Sequence, residues 1–297
     1  MEIESKEETA LGTRIQIKLE KRNSELFFIC FEELRRIERT YSRFLDSSKL
    51  CQLNLELGKW QEADEEMLFL ILKAEEFRGL TDGNFDITLK SALDEMGYDK
   101  NYSFRQKPPK KESFLQKFFP NKKDIEIDLK NKRVLLGKEI EFGGLGKGWA
   151  LDRVAQILEE NKVFHYYINA GGDILAKSAN EKEPWIILLE HPDDDSRAIG
   201  KVEITDGAIA ASAPNKRKWG PDKHHLLNAK TKKSANDSKA IFVLAKTGIE
   251  ADAYATALFT AGFEEGIEIS KKLPVEILFI SKLDKMYRSP GFEVEFF

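Results

Sequence analysis

Apolar residues in this chain never run longer than about five in succession, as at 68–72 and 241–245. A bilayer-crossing helix takes roughly 20, so no membrane span is expected and the core must be built from amphipathic elements. Thr13, Ile15, Ile17 and Leu19 alternate with polar residues, the period of a half-buried strand. Asn23 or Ser24 is placed to cap a helix whose stripe runs Phe27, Cys30, Phe31, Leu34, Ile37 and Tyr41. A second helix over about 62–78 turns Ala63, Met67, Leu70, Ile71, Ala74 and Phe77 inward, and Gly79 follows where a left-handed cap would fit. Further strands are predicted at 166–169, 185–189, 241–245, 276–280 and 292–296, and helices at 149–160, 249–261 and 262–271. The two kinds mix without a strict βαβ rhythm, which predicts an α+β fold rather than a doubly wound parallel sheet.

At 297 residues the chain is long enough for one large domain or two modest ones, and no linker or repeat divides it. Its 47 Lys+Arg against 51 Asp+Glu leave a net charge of -4, without the basic excess of a nucleic-acid binder. Residues 100–123 do concentrate lysines around Phe104, Phe114, Phe118 and Phe119. They read as a solvated loop and a short helix starting near Pro109, rather than as an anion-binding patch. Two cysteines are too few for a disulfide framework, no Cys/His cluster suggests zinc, and Cys30 on its helical stripe reads as a core residue. The acidic, polar N-terminus lacks a secretion signal, so the chain as written reads as cytoplasmic; a processed chain from an exported or membrane-anchored precursor would look the same.

Four clusters could carry chemistry. Gly143-Gly144-Leu145-Gly146-Lys147-Gly148 precedes a helix, where glycines admit close ligands and helix-start amides favour anions. Its spacing is neither a P-loop nor a dinucleotide fingerprint, and a purely structural turn is the rival reading. Asn169-Ala170-Gly171-Gly172-Asp173 follows a strand, with a bulge or a close ligand as alternatives. Asp252 and Thr256 lie four apart, so their oxygens share one helical face as hard ligands suited to Mg²⁺. The rival reading is a solvent-facing Asp beside a Thr bonded back to its own helix. Thr81-Asp82-Gly83-Asn84-Phe85-Asp86-Ile87-Thr88 is a turn in which Asp86 and Thr88 could simply cap.

In this order the clusters resemble the ApbE family of FAD:protein FMN transferases. Leu11-Gly12-Thr13 stands where the family has Met-Gly-Thr, and Ser42, Ser48, Leu50 and Asn54 fit its pattern after the first helix. Gly83, Phe85, Asp86 and Thr88 match its Gly-x-Phe-Asp-x-Thr, and the stretches 141–152, 169–173 and 251–258 match three further motifs. The resemblance spans about 11–265 and implies a single domain over 1–297, with mixed and antiparallel sheets packed with helices, a T-fold-like core and a flavin cleft between the layers. Three places depart: Ala211-Ser212-Ala213 replaces Thr-Ser-Gly, Asn228-Ala229 replaces Asp-Pro after His225-Leu226-Leu227, and Glu141 replaces Asp.

The resemblance implies Mg-dependent transfer of FMN from FAD to a Thr or Ser hydroxyl of an acceptor flavoprotein, with release of AMP. Asp252, Thr256 and the Gly144 carbonyl would then hold Mg²⁺. Lys147 and Glu141 would lie at the flavin nucleotide, with Leu11, Ser42, Asn84, Phe85, Asp86 and Leu226 bordering the rest of the cofactor. His225 is the candidate proton acceptor, and His224 competes for that role. Two other readings stay open: an FAD pyrophosphatase giving FMN and AMP, and an FAD-binding protein without turnover.

Overall fold

A computed structural model describes residues 2–108, 123–220 and 222–297. The helix expected near Pro109 lies outside the described residues. The alternating segment at Thr13 is β2 (Thr13–Glu20), hairpinned to β1 (Ile3–Ala10) through Leu11 and Gly12, both with positive φ. The pair opens an antiparallel sheet that continues with β6 (Tyr166–Ala170), β7 (Asp173–Lys177), β10 (Asp206–Ser212), β11 (Ser238–Ala245), β12 (Glu276–Ser281) and β13 (Met286–Arg288).

One face of this sheet is covered by helices and the other by a small sheet. The helical side carries α1 (Leu26–Tyr41), α3 (Glu65–Leu80), α5 (Gly146–Glu160), α6 (Gly248–Ala261) and α7 (Phe263–Ser270), packed over Ile17, Ile168, Ile241, Val243 and Phe279. The opposite face buries Tyr167, Ile174, Phe242 and Leu278 against Ile187 and Leu189 of β8 (Trp185–His191) and Val202 of β9 (Asp194–Ile204). Successive strand residues point to opposite faces, so β11 needs apolar side chains at both parities, and that is why 241–245 reads as an unbroken apolar run. β9 is completed by β14 (Glu295–Phe296), and a third sheet joins β3 (Trp60–Glu62), β5 (Arg133–Leu136) and β4 (Ile125–Asp128). The α+β expectation holds.

Several local expectations need correction. α1 begins after Glu25 with no side-chain cap; the Ser24 hydroxyl bonds Glu4 and the Lys21 carbonyl instead. α3 runs through Gly79 to Leu80, and the left-handed turn falls later, at Asp82 and Gly83. The strand expected over 292–296 shrinks to Glu295–Phe296, because Phe292 is packed into the core instead. β1 was not anticipated: its sequence IESKEETA is largely exposed, as suits an edge strand that charge protects from further pairing.

Candidate active site

α5 and α6 cross where each has a glycine. A Cβ on Gly148 would lie 2.0 Å from the Gly248 carbonyl, and one on Gly248 would lie 2.4 Å from the Gly148 carbonyl. Only hydrogen at both positions permits this approach. The contact is fastened by Asp152, whose carboxylate accepts from the Gly248 amide (2.6 Å) and the Ile249 amide (2.9 Å). These are two of the orphan donors at the start of α6. Burial pushes the Asp152 carboxyl up to about 7, against the two backbone hydrogen bonds that favour its charge.

The crossing brings Asp252 on α6 to the first turn of α5. Lys147 Nζ lies 3.0 and 3.2 Å from the Asp252 carboxylate oxygens and 2.6 Å from Asp173 Oδ2, and the Gly148 amide donates to Asp252 Oδ2 at 3.0 Å. Burial opposes the Lys147 charge, yet the two carboxylates outweigh it and hold its ammonium above the ordinary lysine range. Burial likewise raises Asp173, to about 6, with Lys147 resisting and Asp252 adding repulsion. Asp252 is thus neither solvent-facing nor free; it is a buried carboxylate tied to a lysine. Asp173 reaches Lys147 because Gly171 and Gly172, with φ of 66° and 108°, make the tight two-residue turn between β6 and β7. The glycine pair is therefore a hairpin turn rather than a bulge.

All twelve residues expected at the site line one cleft of about 1090 Å³. Leu11 is on the β1–β2 turn, and Ser42 closes α1, its hydroxyl accepting from the Phe44 amide at 3.3 Å. Asp86 takes its bland role, accepting from the Thr88 amide at 2.8 Å. Asn84 and Phe85 are almost wholly enclosed: Asn84 Nδ2 donates to the Thr81 carbonyl and to Glu265, and Phe85 packs edge-on to Phe77. They form the wall together with buried Leu226 rather than projecting from it. Gly144 backs onto Thr256, since a methyl there would sit 3.3 Å from Thr256 Oγ1. Glu141 folds back so that Oε2 accepts from the Gly143 amide at 2.8 Å, and burial raises its pKa above the usual carboxylate range. Among the described residues no three His, Cys, Asp or Glu side chains gather as a metal site.

The two histidines separate cleanly. His224 is buried, its Nε2 2.9 Å from the Ala235 carbonyl and its Nδ1 accepting from the Leu226 amide, so it holds the loop together. His225 faces the cleft, and its Nδ1 is buried without a hydrogen-bond partner. Burial pushes its imidazole down to about 3, helped by the positive charges of Arg217 and Lys147. Asn228, one of the departures from the family pattern, is a loop clamp: Nδ2 donates to the Thr260 carbonyl at 2.8 Å and Oδ1 accepts from the Lys230 and Thr231 amides. Sequence reasoning left Asp173, Tyr98 and Arg217 unassigned. Asp173 carried a signal, being the acid that ends the Gly-Gly motif, whereas Arg217 is delivered by a single bridge between Lys218 and His224 that no spacing announces.

The cleft thus joins a glycine turn, a buried Lys–Asp cluster and an imidazole whose Nδ1 has no hydrogen-bond partner. The ApbE family model matches residues 11–279, and the chain belongs to the ApbE family. Among curated relatives, the FAD:protein FMN transferase of Vibrio cholerae is 26% identical over 275 residues, covering 88% of this chain and 81% of the relative. The Escherichia coli K12 protein of the same name is 23% identical over 289 residues, covering 92% and 82%. Among solved structures, the ApbE protein of Thermotoga maritima superposes with a TM-score of 0.87 at 28% identity, covering 98% of both chains. The flavin transferase ApbE from Vibrio cholerae gives a TM-score of 0.83 at 23% identity, again over 98% of each, and supports the fold.

Proposed function

We propose that the protein moves FMN from FAD onto a Ser or Thr hydroxyl of an acceptor flavoprotein and releases AMP. The observation that carries this reading is the convergence of Gly144, Lys147, Asp252, Thr256 and His225 on one cleft large enough for a dinucleotide. The acceptor oxygen forms a bond to the FMN phosphorus, and the bond from that phosphorus to the bridging oxygen breaks. AMP leaves with the electron pair, and the hydroxyl proton passes to His225 Nδ1. A neutral imidazole with a free nitrogen suits that duty, and an arriving diphosphate anion raises its affinity for the proton.

The donor set suits Mg²⁺: a buried carboxylate on Asp252 and the Thr256 hydroxyl on the same helical face are hard oxygen ligands, and Gly144, which packs against Thr256, would add its carbonyl. A bound Mg²⁺ would supply charge stabilisation at the diphosphate. Lys147, held by Asp173 when Asp252 turns to a cation, remains at the helix start to face phosphate oxygens. Two of the three departures from the family pattern keep a structural role. Asn228 keeps a loop-clamping role, and Glu141 anchors the glycine turn it precedes.

The test is to incubate the protein with FAD and Mg²⁺, with and without a Thr-bearing acceptor flavoprotein, and to follow AMP and the acceptor mass. An FMN-sized mass gain on the acceptor supports transfer. AMP without acceptor would indicate a pyrophosphatase, and bound, unchanged FAD a binding protein.

A further inference from the structure

Four cationic side chains of the described residues line the cleft: Arg14, Arg43, Lys147 and Arg217. Three are matched by acids. Arg14 pairs with Glu7, Arg43 with Asp94 at 3.3 Å, and Lys147 with both Asp173 and Asp252. Arg217 has no carboxylate at ion-pair distance among the described residues; its Nη1 donates to the Tyr98 hydroxyl at 2.9 Å, and its guanidinium sits 6.0 Å from the centre of the Tyr98 ring. Tyr98 is itself fixed, stacked on Trp219 at 5.8 Å and 10°. The guanidinium is therefore oriented by a neutral partner, and among the described residues its side chain makes no other hydrogen bond.

Charge arithmetic makes the position matter. Lys147 with two ionised aspartates leaves that cluster one unit negative before any cation binds at Asp252, so a diphosphate gains from a further positive charge nearby. Arg217 is the leading charge acting on His225, whose buried Nδ1 also lacks a partner, so a cation and an unsatisfied nitrogen flank the same part of the cleft. We infer that Arg217 binds the phosphate oxygens of the nucleotide diphosphate, presented by Tyr98 and placed beside His225. A planar fork of donors matches phosphate geometry, which a lysine reproduces only as a point charge. This assignment deepens the reading of the cleft as an FAD site and rests on it.

Binding rather than turnover tests it. Affinities for FAD, ADP and riboflavin are measured by calorimetry and flavin fluorescence for the wild type, Arg217→Met and Arg217→Lys. Arg217→Met is expected to weaken FAD and ADP about 10- to 100-fold, the usual worth of charge-assisted hydrogen bonds. Riboflavin, which has no phosphate, should bind unchanged, and Arg217→Lys should recover part of the loss. Equal ADP affinity in Arg217→Met and wild type would overturn the assignment while leaving the flavin reading standing. Failure of the wild type to bind either FAD or ADP would overturn both. As a check independent of any variant's folding, phenylglyoxal labelling of the wild type should be blocked at Arg217 by ADP but not by riboflavin; labelling unaffected by ADP counts against the role.

Discussion

Lys147 and Asp252 are 105 residues apart in the chain, and their charged groups meet at 3.0 Å. That contact ties the first turn of α5 to the second turn of α6. A buried pair of this kind contributes little net stability, but removing one member leaves an uncompensated charge. Here the remainder is softened, because Asp173 stays on Lys147 at 2.6 Å.

Asp252→Ala should therefore abolish Mg²⁺-dependent AMP release while costing about 1–3 kcal/mol of stability, from the lost carboxylate bonds to Lys147 and the Gly148 amide. Chromatography of AMP and a melting curve read the two effects separately. AMP release at the wild-type rate would remove Asp252 from the chemistry.

The His225 imidazole, pushed down to about 3 by burial and neighbouring cations, should stay neutral across the physiological range in the ligand-free protein. Nitrogen and carbon chemical shifts of the ring, followed from pH 8 to pH 4, should show no titration near the ordinary value of about 6.5. A midpoint close to that value would place the ring in solvent instead.

Asp152 carries a raised carboxyl, at about 7 in the native protein against an ordinary 3.8. Between those values the folded chain binds a proton that the unfolded chain has released. Its stabilising contribution is thus complete below about pH 4 and is lost as pH rises through about 7, on the order of a few kcal/mol. Asp152→Asn cannot ionise, so the difference in unfolding free energy between variant and wild type should change with pH in that window. A difference that stays constant from pH 4 to pH 8 would show that the native Asp152 carboxyl is not raised.

Two glycine substitutions should behave in opposite ways. Gly148→Ala places a methyl 2.0 Å from the Gly248 carbonyl and must push α5 and α6 apart, at a cost of several kcal/mol. Gly172→Ala meets nothing within 4 Å and incurs only the strain of φ 108°, about 1–2 kcal/mol. Thermal or denaturant unfolding ranks them, and equal losses would contradict the close helix crossing.

What was legible in the sequence divides along physical lines. Elements with strong periodicity, such as β2 and α1, could be read because one face is buried and the pattern records it. β1 and the first half of β9 could not, since their exposed, charged residues carry no such signal even though each pairs with a neighbouring strand in the chain. Gly79 misled because a glycine near a helix end looks like a cap, whereas the chain continues one residue further and turns at Gly83. That the residues singled out share one cleft was legible through motifs that demand small residues or oxygen ligands at short spacing. Arg217 was not, because its place in the cleft, with no carboxylate at ion-pair distance among the described residues, is a property of the folded chain alone.

On the proposed function, the glycine turn and α6 together hold a cation at the nucleotide diphosphate. Crystals grown with Mn²⁺ in place of Mg²⁺ and soaked with ADP test this directly through anomalous scattering. The predicted result is a peak bound by Asp252 Oδ, Thr256 Oγ1 and the Gly144 carbonyl, with Lys147 shifted off Asp252 and onto phosphate. A peak elsewhere, or Lys147 still spanning Asp173 and Asp252 with ADP in place and no metal between the two segments, would contradict it.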